Sequence, residues 1–392
     1  MKNVFLKSAL ALAVFAGLFT SCSSDDNNGP TSTFVVTPED FRGNINDGEV
    51  VLNANTVYTL TGPLVVNDGA TLTIPAGTVI EATGGTAAYI AVAQGGKIFV
   101  NGTASNPVVM TSGLATPAAG NWGGLVICGK APINTVSGGA STAQSEVAGL
   151  TYGGSIANDN SGSVRYLVIE YAGAAFSSTK EFNGASLFGV GSGTTFEYVQ
   201  ALNGADDGFE FFGGTVNTSN LVSFGNQDDQ FDWTEGWSGT NNNWYGKISF
   251  GQGNRGIEAD NYEFGFANTP VSNPTINNIT LVGAGPNASS QSYAENQAMK
   301  LRRGTRASFT NVVLADWATG IDIEHNETLA NIPGSLSLTT VLFTNITTKS
   351  KGKDTAGATV SVTNAFTEGA ATGAGNGAGI PTWAQGWTNG LN

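Results

Sequence analysis

The chain has 392 residues, of which 30 are acidic and 16 basic, so its formal net charge is −14 at pH 7. This negative charge argues against nucleic acid or an anionic membrane surface as a partner. Charged residues make up only 12% and hydrophobic residues 40%, which excludes a disordered chain, and 54 glycines are typical of an all-β protein with many turns. Two cysteines exclude a disulfide framework, and Cys128 lies in an apolar run that predicts a small core residue.

The first 21 residues have the pattern of a lipoprotein signal peptide. Lys2 and Lys7 precede an apolar run at residues 9–18, and small residues lead to Cys22. This arrangement resembles the bacterial lipobox, in which the cysteine is lipidated and becomes the first mature residue. Residues 22–33 are polar and acidic and predict a flexible tether. The sequence therefore predicts an outer-membrane lipoprotein anchored at Cys22, with a folded domain over residues 34–392.

Two sets of three short β-type runs follow this tether at a constant spacing. Leu64 and Ile90 are 26 residues apart, as are Leu72 and Ile98. Three strands per repeat of 22–26 residues describe one turn of a single-stranded right-handed parallel β-helix. A β-sandwich would alternate around hairpin turns, and a propeller would repeat near 40 residues. The runs lie at residues 63–66, 71–74, 78–80, 89–92, 97–100 and 107–110.

A second series of repeats runs through the C-terminal half of the chain. Its anchors are apolar residues at spacings of 22 or 26 residues, with one gap of 42: Leu187, Phe209, Phe231, Ile257, Met299 and Ile321. The long gap predicts loop insertions near residues 266–272 and 286–297, or an additional turn. Alternation along each strand sends the anchors into a stacked core and the intervening side chains outward.

The outward side chains of these repeats form a ladder of charges. Neighbouring strands lie about 4.8 Å apart, so the charges stack on one face. The ladder fits a ligand groove that includes Glu258 and Lys300, a Ca²⁺ site of carboxylate oxygens, or a solvated face whose charges pair across turns. One column holds Glu210, Asp232, Glu258, Lys300 and Asp322, and the next holds Asp260, Arg302 and Glu324.

Acidic turn residues and clustered aromatic residues give two further candidate sites. The turn before the charged strands carries Asp206, Asp207, Asp228 and Asp229, which predict either stacked turn formers or a Ca²⁺ site. Gly and Asn surround the second group, so we predict an exposed loop that either binds sugar rings or covers the edge of the core. This group is Trp237, Trp244 and Tyr245, while Trp383 and Trp387 are predicted to plug the open end of the coil.

Five stretches resemble a family of uncharacterised β-helical surface lipoproteins of Bacteroidota with pectate-lyase-like repeats. They are GATLTIPAGT at 69–78, NGTASNP at 101–107, NWGG at 121–124, GVGSGTT at 189–195 and DDGFEFFGG at 206–214. The Ser-Ser-Asp-Asp run after Cys22 also resembles the acidic signal that exports such lipoproteins to the cell surface. The resemblance implies the fold and the location, but it brings no established activity or catalytic residues.

The sequence thus predicts a non-catalytic binding or scaffold module for a glycan or a surface protein, accessory to an outer-membrane complex, with no required cofactor. The alternative is a polysaccharide lyase or a glycoside hydrolase. A lyase would use Ca²⁺ with Lys300, Arg302 or Arg303 as base. A hydrolase would use two carboxylates about 7 Å apart along one strand. The candidate pairs are Glu258 with Asp260 and Asp322 with Glu324.

Other catalytic chemistry finds little support in the sequence. His325 is the only histidine, and no Gly-x-Ser-x-Gly turn accompanies it, so a Ser-His-Asp triad is disfavoured. The spacing of zinc ligands is absent.

Overall fold

The computed structural model describes residues 31–249, 253–288 and 295–391. The predicted signal peptide, Cys22 and most of the predicted tether lie outside these residues. The last tether residues, Ser32 and Thr33, already bond to the folded domain, because both hydroxyls donate to the carboxylate of Asp47 at 2.9 and 2.7 Å.

Twenty-seven strands dominate the described residues. The first nine are β1 (Gly43–Ile45), β2 (Glu49–Val51), β3 (Val57–Leu60), β4 (Leu64–Val66), β5 (Thr71–Pro75), β6 (Val79–Ala82), β7 (Ile90–Val92), β8 (Lys97–Asn101) and β9 (Val108–Ser112). The next nine are β10 (Leu125–Cys128), β11 (Thr142–Gln144), β12 (Thr151–Gly153), β13 (Gly162–Glu170), β14 (Ala185–Phe188), β15 (Thr195–Leu202), β16 (Phe209–Phe212), β17 (Asn217–Phe224) and β18 (Phe231–Thr234). The last nine are β19 (Thr240–Lys247), β20 (Arg255–Ala259), β21 (Thr275–Val282), β22 (Gln297–Leu301), β23 (Ala307–Ala315), β24 (Thr319–Glu324), β25 (Leu336–Thr344), β26 (Thr348–Lys353) and β27 (Phe366–Glu368). Helical turns are α1 (Asn326–Leu329) and three 3₁₀ segments, Pro38–Asp40, Thr363–Ala365 and Thr382–Ala384.

These strands wind into the predicted right-handed parallel β-helix. An 11-stranded first sheet has the order β1-β4-β7-β10-β14-β16-β18-β20-β22-β24-β26, and the other strands of the coil form a 14-stranded second sheet. Every pairing between these strands is parallel, and the small β11–β12 hairpin is the one antiparallel pair of strands among the described residues. The predicted register is confirmed in the N-terminal part, where Leu64 pairs with Ile90 and Leu72 with Ile98.

The second and third strands of each turn merge from β13 onward. Strand β13 pairs with β8 through its first half and with β9 through its second half. Each merged strand bends at one residue with a left-handed backbone, which asparagine adopts more readily than most residues. Asn311 donates to Asn278 at 2.8 Å, and Asn278 donates to Asn243 at 3.1 Å, so the bends stack. The bend residues are Tyr166, Tyr198, Asn220, Asn243, Asn278, Asn311 and Thr340.

The predicted anchors lie in the core with the predicted inward phase. Phe209, Phe231, Ile257, Met299 and Ile321 are all fully buried, and consecutive members pair in register. Because β20 pairs directly with β22, the long gap contains no additional turn of the first sheet.

One anchor was placed incorrectly. Leu187 pairs with Phe211, not with Phe209, whose partner is Ala185. The side chain of Leu187 still points inward as predicted, because a shift of two residues along a strand keeps each side chain on the same face.

The prediction of an exposed aromatic loop was wrong. Trp244 and Tyr245 belong to β19, and Trp237, Trp244 and Tyr245 are at most 1% exposed. Trp237 stacks on Phe211 with ring centroids 4.1 Å apart, and Trp244 stacks on Phe231 at 4.4 Å. The two indole rings fill the interior of the β-helix, and Tyr245 is buried on its outer side, so none of the three residues offers a face to a sugar.

The C-terminal segment, residues 369–391, covers the outer face of the second sheet. Its contacts run from Asn311, whose side-chain Oδ1 accepts from the backbone N–H of Thr372, to Gln200, whose side chain donates to the backbone carbonyl of Asn389. Tyr245 is buried beneath this segment and packs in one cluster with Trp387, which the segment contributes. Trp383 and Trp387 therefore pack on the outside of the β-helix, and the prediction that they plug its open end was wrong. No helix among the described residues is long and apolar enough to cross a membrane.

Candidate functional site

An insertion covers part of the outer face of the first sheet. Residues 129–161, between β10 and β13, form a lobe that contains the β11–β12 hairpin. The lobe buries outward residues of the first sheet, including Val126, Cys128 and Phe188. Cys128 is fully buried in this cluster, which confirms a packing role for it, and burial raises the pKa of its thiol to about 12.

A groove of about 610 Å³ lies beside this lobe on the outer face of the first sheet. Outward side chains of β16 and β18 form its floor. The lobe forms one wall, and the segment that follows β20 forms another. Its lining includes Glu146, Tyr152, Lys180, Glu210, Phe212, Asp232, Thr234, Glu235, Asp260, Tyr262, Glu263, Phe264, Arg302 and Arg303.

The groove floor brings carboxylates together. Glu210 pairs in register with Asp232, and Asp232 pairs with Glu258 on the next strand. Oxygens of Asp207, Glu210 and Asp232 lie within 4.8 Å of one another, as do oxygens of Asp229, Asp232 and Glu258. Burial, reinforced by repulsion from neighbouring carboxylates, raises the pKa values of Glu210 and Asp232 well above the ordinary range.

The arginines of the groove are already held by carboxylates. Arg302 contacts Asp260 at 2.8 Å and Glu258 at 2.9 Å, and Arg303 contacts Asp260 at 2.6 Å. Arg255 adds a contact to Glu258 at 3.1 Å. Four residues of the predicted ladder line the groove: Glu210, Asp232, Asp260 and Arg302. Glu258 does not line it and forms an ion pair with Arg302.

The remaining ladder residues form a paired network outside the groove. Lys300 is 6% exposed and contacts Glu295 at 2.9 Å and Glu324 at 3.6 Å. Asp322 is fully buried and contacts Lys351 at 3.2 Å. The prediction that Lys300 binds a ligand was therefore wrong, because its ammonium group is enclosed by these carboxylates. Asp322 and Glu324 likewise lie among fixed partners and not in the groove.

The four turn aspartates come together as predicted, and most of them have structural bonds. Asp207 accepts from the backbone of Asp229 at 2.8 Å, and Asp229 accepts from Arg255 through its backbone N–H at 2.7 Å. Asp206, Asp207 and Asp228 keep oxygens within 4.8 Å of one another. Burial and the nearby Asp228 raise the pKa of Asp206 to about 8. Such oxygen ligands suit Ca²⁺.

A tyrosine–glutamate pair joins the lobe to the coil. The Tyr152 hydroxyl donates to Glu235 at 2.6 Å. Burial raises the pKa of Glu235 to about 7, against the effect of this hydrogen bond, and Glu146 adds repulsion. Sequence reasoning missed both residues, because they are 83 positions apart and the lobe has no repeat pattern.

An aromatic pair lies at the rim of the groove. Phe264 is 80% exposed, and its ring meets the Tyr262 ring edge to face with centroids 5.5 Å apart. The segment containing them follows β20 and lies before the insertion predicted near residues 266–272, so sequence reasoning missed this pair. The run Tyr262-Glu263-Phe264 was the available signal, because it places two aromatic residues on either side of an acid.

The family comparison agrees with this architecture. A family model described as a pectate-lyase like beta helix domain matches residues 43–388. The chain belongs to this pectate-lyase-like β-helix family. No curated protein and no solved structure matches it. Family membership establishes the β-helix, while function must be argued from the groove of this particular member.

Proposed function

We propose that this β-helix protein is a lipid-anchored cell-surface module that binds a glycan in the groove of the first sheet. The observation that carries the proposal is a walled groove with an exposed aromatic pair above a polar floor. Sugar rings present apolar faces to aromatic side chains and hydroxyls to carboxylates and arginines. Phe264 and Tyr262 supply the first kind of contact, and Asp260 and Arg302 the second.

The signal pattern before Cys22 and the resemblance to Bacteroidota lipoproteins support anchoring in the outer membrane with the domain on the cell surface. An accessory role in an outer-membrane complex belongs to the same proposal. The groove needs no cofactor for binding. Ca²⁺ is the ion that Asp206, Asp207 and Asp228 would hold.

A glycoside hydrolase is the second candidate, favoured by two carboxyl groups in unlike environments. Burial raises the pKa of Asp232, as a general acid requires, whereas Asp260 lies between two arginines. The pairs expected from the sequence are less suitable. Glu258 and Asp260 are both held by arginine, and Asp322 and Glu324 lie outside the groove. A lyase would have to use an arginine that is already ion-paired.

A polysaccharide panel tests both candidates with one protein. The mature chain should bind a defined glycan without releasing reducing or unsaturated ends. Phe264→Ala should weaken this binding, because it removes an exposed contact at little cost to folding. Phe176→Ala is the matched control, since Phe176 is 48% exposed and does not line the groove. Turnover that Asp232→Asn abolishes would favour the hydrolase, and loss of binding in both phenylalanine variants alike would contradict the groove.

A further inference from the structure

The charge balance of the groove lining is strongly asymmetric. The lining contains six carboxylates and three bases. The carboxylates are Glu146, Glu210, Asp232, Glu235, Asp260 and Glu263, and the bases are Lys180, Arg302 and Arg303. A groove that selects uronate sugars would need the opposite balance.

The basic residues of the lining do not neutralise the carboxyl groups of the groove floor. Arg302 and Arg303 are bound by Asp260 and Glu258, and Arg303 also lies 3.6 Å from Glu263. Lys180 is exposed at the rim. No ion pair among the described residues involves Glu146, Glu210 or Asp232.

The floor carboxylates also have few neutral donors. Glu210 accepts one hydrogen bond, from the Asn183 side chain at 2.7 Å. Asp232 has neither a hydrogen bond nor an ion pair within the described part of the chain. Adjacent carboxylates of this kind are stable as a protonated pair or with an external cation between them. They lie at the bottom of a groove that a ligand can enter, so the cation can come with the ligand.

We propose that the groove selects a glycan of amino sugars whose free amines are protonated, with an ammonium group placed between Glu210 and Asp232. This inference rests on the proposed glycan-binding function and names its substrate class. The ammonium group donates three hydrogen bonds, which matches the free oxygens of two stacked carboxylates. The adjoining sugar face then lies towards Phe264 and Tyr262. A uronate oligomer would add negative charge to a lining in which carboxyl groups already outnumber basic groups by six to three, and the groove therefore disfavours it.

Calorimetric titration with three hexamers at pH 6 and low salt tests the inference. The probes are glucosamine hexamer with free amines, N-acetylglucosamine hexamer and galacturonate hexamer. A hydrogen bond to a charged group contributes about 1.5–3 kcal/mol, so we expect at least a roughly tenfold preference for the free amine over the acetylated sugar. The preference should fall in 0.5 M salt, because the groove is open to solvent.

The double substitution Asp232→Asn with Glu210→Gln identifies the groups responsible. It should remove the preference for the amine, so that the glucosamine and N-acetylglucosamine hexamers bind the double variant with equal affinity. Glu81→Gln, on β6 of the other sheet, is the matched control and should change neither. Equal binding of amine and acetylated hexamers would overturn the charge selection while keeping the glycan groove. Stronger binding of the uronate, or an undiminished preference in the double variant, would overturn the inference as well. Binding of none of the three would overturn the inference, and the polysaccharide panel would then decide whether the groove binds another glycan.

Discussion

Replacing Glu235 by glutamine should reduce the loss of stability of the protein between pH 5 and pH 8. Burial raises the pKa of this carboxyl group from 4.5 to about 7. The folded state therefore holds the proton more tightly than the unfolded state over this range. The stabilisation is fully present below the unfolded pKa and is lost as pH rises through the folded pKa. The difference corresponds to roughly 3 kcal/mol by pH 8.

The Glu235→Gln variant keeps an oxygen that can accept from the Tyr152 hydroxyl, so the lobe stays bonded to the coil. Urea denaturation followed by tryptophan fluorescence at pH 5 and pH 8 measures the effect. From pH 5 to pH 8, the variant should lose about 2.5 kcal/mol less free energy of unfolding than the wild type, because the first part of the effect is already lost at pH 5. Glu39→Gln, at an exposed carboxyl group, is the control and should follow the wild type. Equal losses in Glu235→Gln and the wild type would refute the assignment of this pKa to the burial of Glu235.

Three further substitutions test the core, the charge network and the anchor. Phe231→Ala removes a fully buried ring that stacks on Phe209 and Trp244, and should lower the free energy of unfolding in urea by about 3–5 kcal/mol. A loss below about 1 kcal/mol would contradict the inward orientation of this side chain. Lys300→Glu places a third negative charge beside Glu295 and Glu324, so it should lower the free energy of unfolding by at least about 3 kcal/mol even in 0.5 M salt. A loss of stability that salt removes completely would mean that Lys300 is solvated. Cys22→Ala should release the protein from membranes in cell fractionation, and membrane association that survives a high-salt wash would require another attachment.

The repeat could be predicted because the coil buries the same strand positions in every turn. Phe209, Phe231 and Ile257 recur at intervals set by one turn, so sequence spacing alone gives their register. Leu187 was misaligned because the inward position opposite Phe209 is occupied by Ala185, which gives no strong apolar signal.

The aromatic residues show a different limit of sequence reasoning. The glycines and asparagines around Trp244 suggest a loop, but Asn243 marks the left-handed bend within β19. Whether an indole next to such a bend points inward depends on the width of the coil, which is a tertiary property. Tryptophan among glycine and asparagine residues is therefore compatible both with an exposed binding surface and with a side chain packed in the core.

The groove itself could be predicted only in part. Its floor follows from strand register, so Glu210 and Asp232 were placed correctly on the outer face. Its walls depend on contacts between distant segments: Asn134 of the lobe donates to Asn261 at 2.8 Å across 127 positions. The sequence does not show this contact, so it predicts only a flat charged face. It therefore does not tell which ladder residues line the groove and which form the paired network.

A crystal structure of the mature chain with glucosamine hexamer and, separately, N-acetylglucosamine hexamer tests the central claim most directly. We predict that a sugar ring lies against Phe264 and Tyr262 in both complexes. In the first complex, an amine nitrogen should lie within about 3 Å of oxygens of Glu210 and Asp232. A saccharide bound elsewhere, such as on the outer face of the second sheet, with the groove free of it, would contradict the claim that this groove is the binding site.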